Sequence, residues 1–200
     1  MPLEEYRKKR NFRTTSEPAG RSRRSGRDQT FVVQKHDASH LHYDFRLAIN
    51  GVLVSWAVPK GPTLDPGAKR FATMTEDHPL EYANFEGVIP EGEYGAGTVM
   101  VWDRGSYELE EEMPAEKQLA RGEIKMILQG KKLRGGFVLV HMGRATTRPR
   151  EKSRWLLIKR KDDHASRTWD PEDKKINRSA LTGRTLDEIA SARPVRKRAA

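Results

Sequence analysis

The chain has 200 residues, a net charge of +10 and no cysteine, so it can form one domain with a sizeable core but no disulfide, cysteine-ligated zinc or thiol nucleophile. No apolar run reaches the roughly 20 residues of a membrane helix, and the polar N-terminus lacks a signal-peptide apolar region, so we expect a soluble cytoplasmic protein with no membrane partner. The positive charge lies in residues 1–26 and 130–200, whereas residues 76–129 are acidic, which suits a DNA or RNA partner and equally an ordinary solvated basic surface.

The predicted elements begin with a basic arm over residues 1–30, in which Gly20–Arg27 has a Ser/Gly/Arg composition typical of loop or disorder. Phe31–His36 and Leu41–Ile49 then predict a β-hairpin, and an Asn50-Gly51 turn leads into a third strand, Val52–Val58. Further strands are predicted at Arg70–Thr75, Gly97–Asp103, Ser106–Glu110, Glu123–Gln129, Gly136–Met142 and Arg154–Lys159.

Two short helices are predicted in the second half of the chain, at Pro114–Arg121 and Thr185–Ala192. Many short strands separated by Gly and Pro favour a barrel or a sandwich. We predict a mainly β fold, a small closed antiparallel β-barrel of about eight strands, because closure leaves no strand edges to protect. Short peripheral helices and basic, partly disordered tails surround it. The predicted organisation is an N-terminal arm (1–30) partly ordered near the site, a barrel domain (31–165), and a linker-like C-terminal extension with a basic tail (166–200).

The second predicted strand has two chemically different faces. Side chains alternate along a strand, so one face is apolar and the other carries His42, Asp44 and Arg46. An ordinary solvent-facing strand is the simple interpretation, but solvated faces favour Lys, Thr and Glu. The apolar face, which we expect to enter the core, consists of Leu41, Tyr43, Phe45, Leu47 and Ile49.

The hairpin partner of this strand adds a second imidazole. Folding back at Asp37–His40 brings His36 toward His42 and Asp44, and two neutral imidazoles with one carboxylate make a three-ligand site with open positions. Such a site suits Mn²⁺, Zn²⁺, Fe²⁺ or Co²⁺. His40 is a spare candidate with the wrong strand parity.

Phosphate-binding candidates surround this site. Arg46 has the fork geometry that suits a metal-bound phosphate. His78 precedes Pro79 at a predicted helix start, where it could contact a phosphate or donate a proton, with Tyr82 on the same side. Taken alone, the pattern is more typical of a structural histidine in a turn. Two further cations, Lys60 and Arg70, are weaker candidates. The glycine-rich run Gly92–Gly97 lacks a phosphate-loop ending, and we interpret it as a tight turn.

Two other functions stay open on these residues. His42-x-Asp44 is also found in Fe(II) oxygenases, for which His141 could supply the remaining imidazole. A non-catalytic DNA-binding module with a structural metal site is the second alternative.

Five runs of sequence resemble the 3′-phosphoesterase domain of bacterial DNA ligase D, and the resemblance extends over residues 6–165. They are Phe31–Arg46, Ser55–Pro62, Glu76–Tyr82, Phe85–Gly97 and Trp155–Arg160. The resemblance implies a β-barrel enzyme of non-homologous end joining that removes a 3′-terminal ribonucleoside and then the 3′-phosphate, leaving a 3′-hydroxyl for ligation. Manganese is the metal it implies, with zinc or cobalt as alternatives. DNA primer-template 3′ ends would be the substrate, and a DNA ligase, a repair polymerase and Ku the partners.

The resemblance also implies roles for individual residues. The metal ligands would be His36, His42 and Asp44, and the contacts to the reacting phosphate would be Arg46 and His78. Tyr82 would act beside them. Substrate contacts would come from Gln34, Lys60, Arg70 and Glu76, and from Arg10 and Glu17 in the N-terminal arm. The family usually has Asp where this chain has Asn11.

The C-terminal run Ser179–Ala190 resembles the segment that links this domain to a ligase domain, yet these 200 residues contain no ligase lysine motif. We therefore expect either a stand-alone form or a domain taken from a larger ligase.

Overall fold

The computed structural model describes residues 3–20, 29–143 and 152–192. Most of the predicted Ser/Gly/Arg stretch and the whole basic tail after residue 192 lie outside these ranges. Within the described ranges, every helix is too short or too polar to cross a membrane.

Eight strands form a closed antiparallel barrel, which confirms the predicted fold. The ring order is β1-β2-β3-β4-β10-β9-β8-β7, and β7 pairs with β1 to close it. Two short strands lie outside the ring, with β5 paired to β3 and β6 paired to β7. The strands are β1 Thr30–Asp37, β2 Leu41–Ile49, β3 Val52–Val58, β4 Lys69–Met74, β5 His78–Pro79, β6 Gly87–Ile89, β7 Gly97–Leu109, β8 Glu123–Gly130, β9 Arg134–His141 and β10 Arg154–Lys159. The helices are α1 Glu4–Lys8, α2 Ala115–Arg121 and α3 Leu186–Ala190, with a 3₁₀ helix at Leu80–Asn84.

The barrel interior is filled by large apolar side chains from alternate positions of the strands, as the sequence pattern requires. Each fully buried residue of this size contributes roughly 1.5–3 kcal/mol relative to exposure. The largest of them are Trp56, Trp102, Trp155, Tyr107 and Phe31.

Turn geometry sets the β2–β3 register. Asn50 and Gly51 both have positive φ, 51° and 80°, as a tight hairpin turn between right-twisted strands requires. This register places Arg46 opposite Ser55 and Asp44 opposite Ala57.

Two predictions about the strands were wrong. Leu41 is 41% exposed, because the start of β2 lies at the barrel rim beyond the packed core. The predicted strands Gly97–Asp103 and Ser106–Glu110 are one continuous strand, β7. The residues that resemble a turn have tertiary roles within this strand. Buried Asp103 accepts hydrogen bonds from the backbone N–H groups of Lys131, Lys132 and Leu133. Gly105 lies against the β8 backbone, where a side chain would not fit.

Additional segments cover the barrel. The N-terminal arm brings Tyr6 into a second apolar cluster on the outer face of β1–β3, where Val32, Leu53 and Tyr82 also lie. The C-terminal extension packs Ile189 against the main core, and Thr185 caps α3 through a capping box with Glu188. The extension is thus part of the folded unit.

Candidate metal and phosphate site

The outer face of β1, β2 and β3 carries the polar residues of the candidate site. Opposite pairs across the β1–β2 hairpin are His36 with His42 and Gln34 with Asp44. This arrangement confirms the predicted alternation, because Tyr43 and Phe45 between them point into the core.

His36, His42 and Asp44 come together as the one group of three possible metal ligands among the described residues. Their ligand atoms all lie within 4.8 Å of one another, and the Asp44 carboxylate is 3.8 Å from His36 Nδ1 and 3.8 Å from His42 Nε2. The centroids of the two imidazole rings are 4.9 Å apart.

Backbone carbonyls orient both imidazoles. His36 Nε2 lies 2.9 Å from the Gly95 carbonyl oxygen, and His42 Nδ1 lies 2.9 Å from that of His40. Each ring can donate this N–H and so keep its other nitrogen unprotonated toward Asp44, as metal-binding histidines typically do. His40 itself is exposed and contributes its carbonyl rather than its ring.

Electrostatics keep Asp44 ionised. Burial alone raises the pKa of this carboxyl, but the Arg46 guanidinium outweighs burial and holds the pKa well below its usual range. A carboxylate with a depressed pKa is available as a cation ligand at neutral pH.

Arg46 is 3% exposed and is held on all sides. Its Nε donates to Gln34 Oε1 at 2.8 Å, one Nη donates to Ser55 Oγ at 2.8 Å, and the other donates to Asp44 Oδ2 at 3.0 Å. The guanidinium is therefore fixed beside the metal ligands in one orientation.

His78 lies between two guanidinium groups. Its Nδ1 is 2.9 Å from Arg46 Nη1 and 2.9 Å from the Glu76 carbonyl oxygen, and its Nε2 is 3.2 Å from Arg10 Nη2. Burial lowers the pKa of His78 well below its ordinary value, and the charges of Arg46 and Arg10 lower it further. The imidazole is consequently neutral at neutral pH.

The predicted helix start at Pro79 was wrong. His78–Pro79 forms strand β5 against β3, and the following 3₁₀ helix begins at Leu80. The backbone of His78 is extended because it pairs with Leu53, so the residue does not cap a helix. Its ring still meets that of Tyr82, with centroids 4.8 Å apart.

The N-terminal arm brings Arg10 and Glu17 into the same cluster. Arg10 Nε donates to Glu17 Oε1 at 2.9 Å and Nη1 donates to Glu76 Oε1 at 3.1 Å, in an almost fully buried network. Tyr82 donates its hydroxyl to Glu17 at 3.0 Å, and burial raises the pKa of Tyr82 well above its usual value. Asn11, next to Arg10, is exposed.

Gln34 ties the site to the outer layer. Its Nε2 donates to the carbonyl oxygens of Tyr82 and Phe85, both at 2.9 Å, while its Oε1 accepts from Arg46. The side chain is fully buried and has all of these contacts satisfied, so it positions Arg46.

The remaining candidates lie apart from this cluster. Lys60 is exposed in the turn after β3. Arg70 shares the strand parity of Ala72, which faces the barrel interior, and its Nε is buried without a hydrogen-bond partner among the described residues. His141 meets Trp155 edge-to-face, with ring centroids 5.1 Å apart, and takes no part in the metal-ligand group.

Sequence reasoning missed two contributors, Ser55 and the Gly95 carbonyl. The parity of β3 could have revealed Ser55, because it shares the outer face with Ala57 and lies opposite Arg46. The Gly95 contact depends on how a loop about 60 residues away packs, and local pattern carries no such signal.

Comparison with known proteins places this geometry in a family. A family model for the DNA Ligase D 3′-phosphoesterase domain matches residues 34–141, which include Gln34, the three candidate ligands, Arg46 and His78. The chain belongs to this family. The family assignment therefore agrees with the resemblance seen in the sequence.

Several relatives extend the match beyond residues 34–141. The multifunctional non-homologous end joining protein LigD of Pseudomonas aeruginosa is 50% identical over 208 residues, covering 98% of this chain and 24% of the relative. The corresponding DNA repair protein of Mycobacterium tuberculosis is 45% identical over 139 residues, covering 69% of this chain and 18% of the relative. The multifunctional non-homologous end joining protein LigD of Mycolicibacterium smegmatis is 41% identical over 176 residues, covering 86% of this chain and 22% of the relative. The chain thus spans a quarter or less of the length of these relatives.

Proposed function

We propose that this chain is a metal-dependent phosphoesterase that removes a 3′-terminal ribonucleoside from a DNA strand and then removes the remaining 3′-phosphate. The observation that carries the proposal is the fixed guanidinium of Arg46, 3.0 Å from Asp44 in a group of three candidate metal ligands. A cation site beside an immobilised arginine fits a phosphate group that binds both. Membership in the 3′-phosphoesterase family supports it.

The chemistry consists of two hydrolyses. In the first, water attacks the phosphorus, the bond from phosphorus to the ribonucleoside 5′ oxygen breaks, and the nucleoside leaves with a 5′-hydroxyl. In the second, water attacks the same phosphorus, the bond to the strand's 3′ oxygen breaks, and inorganic phosphate leaves. The strand then ends in a 3′-hydroxyl.

His36, His42 and Asp44 would hold the cation, with Mn²⁺, Zn²⁺ or Co²⁺ as the candidates. The donor set fits, because each imidazole can donate one N–H to a backbone carbonyl, which leaves its other nitrogen free to bind the cation beside the carboxylate. When bound, the cation would polarise a phosphate oxygen and lower the pKa of water.

The surrounding residues would manage charge and orientation. Arg46 would neutralise negative charge on the phosphate oxygens in the transition state. His78 would contact the phosphate beside Arg46 and hold the Arg46 and Arg10 guanidiniums in place, acting as a neutral imidazole. Arg10, Glu17 and Tyr82 would support this arrangement from the N-terminal arm. Lys60, which is exposed in the turn after β3, would contact a more distant part of the DNA.

By analogy with the relatives, which are named as non-homologous end joining proteins, the product would be consumed in end joining. A DNA ligase, a repair polymerase and Ku are the proposed partners.

End trimming tests the proposal. Purified chain would be incubated with a duplex whose recessed 3′ strand ends in one ribonucleotide, and with one that ends in a 3′-phosphate, with Mn²⁺ or with EDTA. We expect Mn²⁺-dependent conversion of both to a 3′-hydroxyl, lost in His42→Ala and retained in His164→Ala, a matched histidine that is exposed outside the site. Duplex binding without conversion under Mn²⁺, Zn²⁺ or Co²⁺ would instead support a DNA-binding module.

A further inference from the structure

An exposed aromatic ring stands at the edge of the candidate site. Tyr94 is 50% exposed, in the turn between β6 and β7. Burial in the core does not account for a tyrosine at this position. The turn belongs to the glycine-rich run that the sequence left without a function.

The turn that carries Tyr94 is fixed in place. Its backbone is closed by a hydrogen bond from the Ala96 N–H to the Glu93 carbonyl at 3.1 Å, and the Glu93 side chain accepts from the Thr14 hydroxyl. Gly92 and Gly95 adopt positive φ, 86° and 76°, which glycine permits without strain. The ring is thus presented by a rigid support.

The same turn touches a proposed metal ligand. The Gly95 carbonyl, one residue after Tyr94, is the acceptor that orients His36. The position of the Tyr94 ring is therefore tied to that of the metal site through one peptide unit.

Two cations lie over the ring of Tyr94. Lys9 Nζ is 5.0 Å and Arg10 Cζ 5.5 Å from the ring centroid of Tyr94, and Arg10 reaches on to His78. A half-exposed aromatic ring next to cations and a phosphate site has the two features that bind a nucleotide, a stacking surface and positive charge.

The N-terminal arm restricts where the terminal nucleoside can lie. On the Tyr94 side, the site is bounded by the N-terminal arm, where Thr15 and Glu17 are buried. On the other side, beyond His42, Pro59 and Lys60 at the end of β3 are exposed. A duplex needs the open side, so the short terminal nucleoside belongs on the Tyr94 side.

We propose that Tyr94 is the stacking platform for the base of the leaving 3′-terminal nucleoside. This inference rests on the proposed two-step function and assigns a specificity residue to its first step. Tyr94 acts on the nucleoside-removal step alone, because the 3′-phosphate substrate has already lost that base.

The test compares Tyr94→Ala and Tyr94→Phe on the two substrates. Base–aromatic stacking lost by alanine substitution corresponds to a decrease of about tenfold in kcat/KM. We expect that decrease for Tyr94→Ala on the ribonucleotide-terminated strand, in KM more than in kcat, with less than about a twofold change on the 3′-phosphate. Tyr94→Phe keeps the ring and should retain both activities.

A third substrate isolates the base itself. A strand ending in an abasic ribose removes the stacking partner, so the wild-type chain should lose the same factor and Tyr94→Ala should lose nothing further. Three results would each overturn the assignment. Tyr94→Ala could lose the same factor in kcat/KM on the ribonucleotide and 3′-phosphate ends, or lose nothing on the ribonucleotide end. It could also lose a further factor on the abasic substrate. Met142→Ala, at an exposed position just after β9, controls for removal of surface apolar area. Wild-type failure on both substrates would instead refute the proposed function.

Discussion

Replacing Arg46 with lysine tests how the buried polar network is held together. The guanidinium makes three directional hydrogen bonds, to Gln34, Ser55 and Asp44, from three different nitrogens. A lysine ammonium is a single point donor on a linear stem and cannot reach all three acceptors at once. Arg46→Lys keeps the charge and removes the fork.

The expected magnitude follows from the acceptors left without a donor. Each buried polar group that loses its partner costs roughly 1–3 kcal/mol. With one or two such groups, the free energy of unfolding should fall by about 2–4 kcal/mol, which corresponds to a Tm decrease of roughly 6–12 °C for a domain of this size. Loss of the transition-state contact should slow single-turnover removal of a 3′-phosphate by about 10²- to 10³-fold.

Thermal melting by circular dichroism and rapid-quench end trimming measure the two effects. Arg167→Lys, an exposed position in the C-terminal extension, is the matched control and should change neither. A lysine variant with the wild-type Tm and the wild-type rate would refute the inference that the fork geometry of Arg46 matters.

Three further predictions concern pH, packing and metal. Because the folded-state pKa of His78 lies below its unfolded value of 6.5, the unfolded chain binds more protons below that pH. The contribution of His78 to the free energy of unfolding should therefore be fully present above pH 6.5 and fall by up to about 1.4 kcal/mol per pH unit below it. In urea titrations at several pH values, His78→Gln should flatten that slope. Ile189→Ala should lower the free energy of unfolding by about 2–4 kcal/mol, because α3 packs on the barrel core. Leu181→Ala, at an exposed position, should not. Equal urea midpoints for Ile189→Ala and the wild-type chain would show that this packing does not stabilise the fold. Mn²⁺ should raise the Tm of the wild-type chain in a concentration-dependent way, since a ligand that binds the native state stabilises it. Asp44→Asn should abolish this rise, and an equal rise in the variant would contradict the prediction.

The part of the site that lies on one hairpin was predictable from the sequence. Period-two alternation separates His42 and Asp44 from the core residues, and the short Asp37–His40 connection fixes the register that brings His36 opposite His42. Both signals are local, so no knowledge of the tertiary structure was needed.

The parts that depend on distant segments were not predictable in this way. Arg10 meets Glu76 and His78 across more than 60 residues of sequence, and only the family resemblance suggested a role for the arm. Lys35 has the parity of a core residue, and its burial becomes understandable only with Glu172 from the C-terminal extension as its ion-pair partner. The Asp-Arg-Gly run in β7 was misjudged as a break because the tertiary acceptor role of Asp103 overrides its local turn preference.

We propose that His36, His42 and Asp44 together bind a divalent cation at the reacting phosphate. Electron spin-echo envelope modulation of the Mn²⁺-loaded chain tests it most directly, because the spectrum counts imidazole nitrogens bound to the metal. We predict two nitrogen couplings in the wild-type chain, one in His42→Ala, two in His164→Ala, and an added phosphorus coupling when a 3′-phosphate strand is bound. A wild-type spectrum without nitrogen couplings, or one unchanged in His42→Ala, would contradict the account.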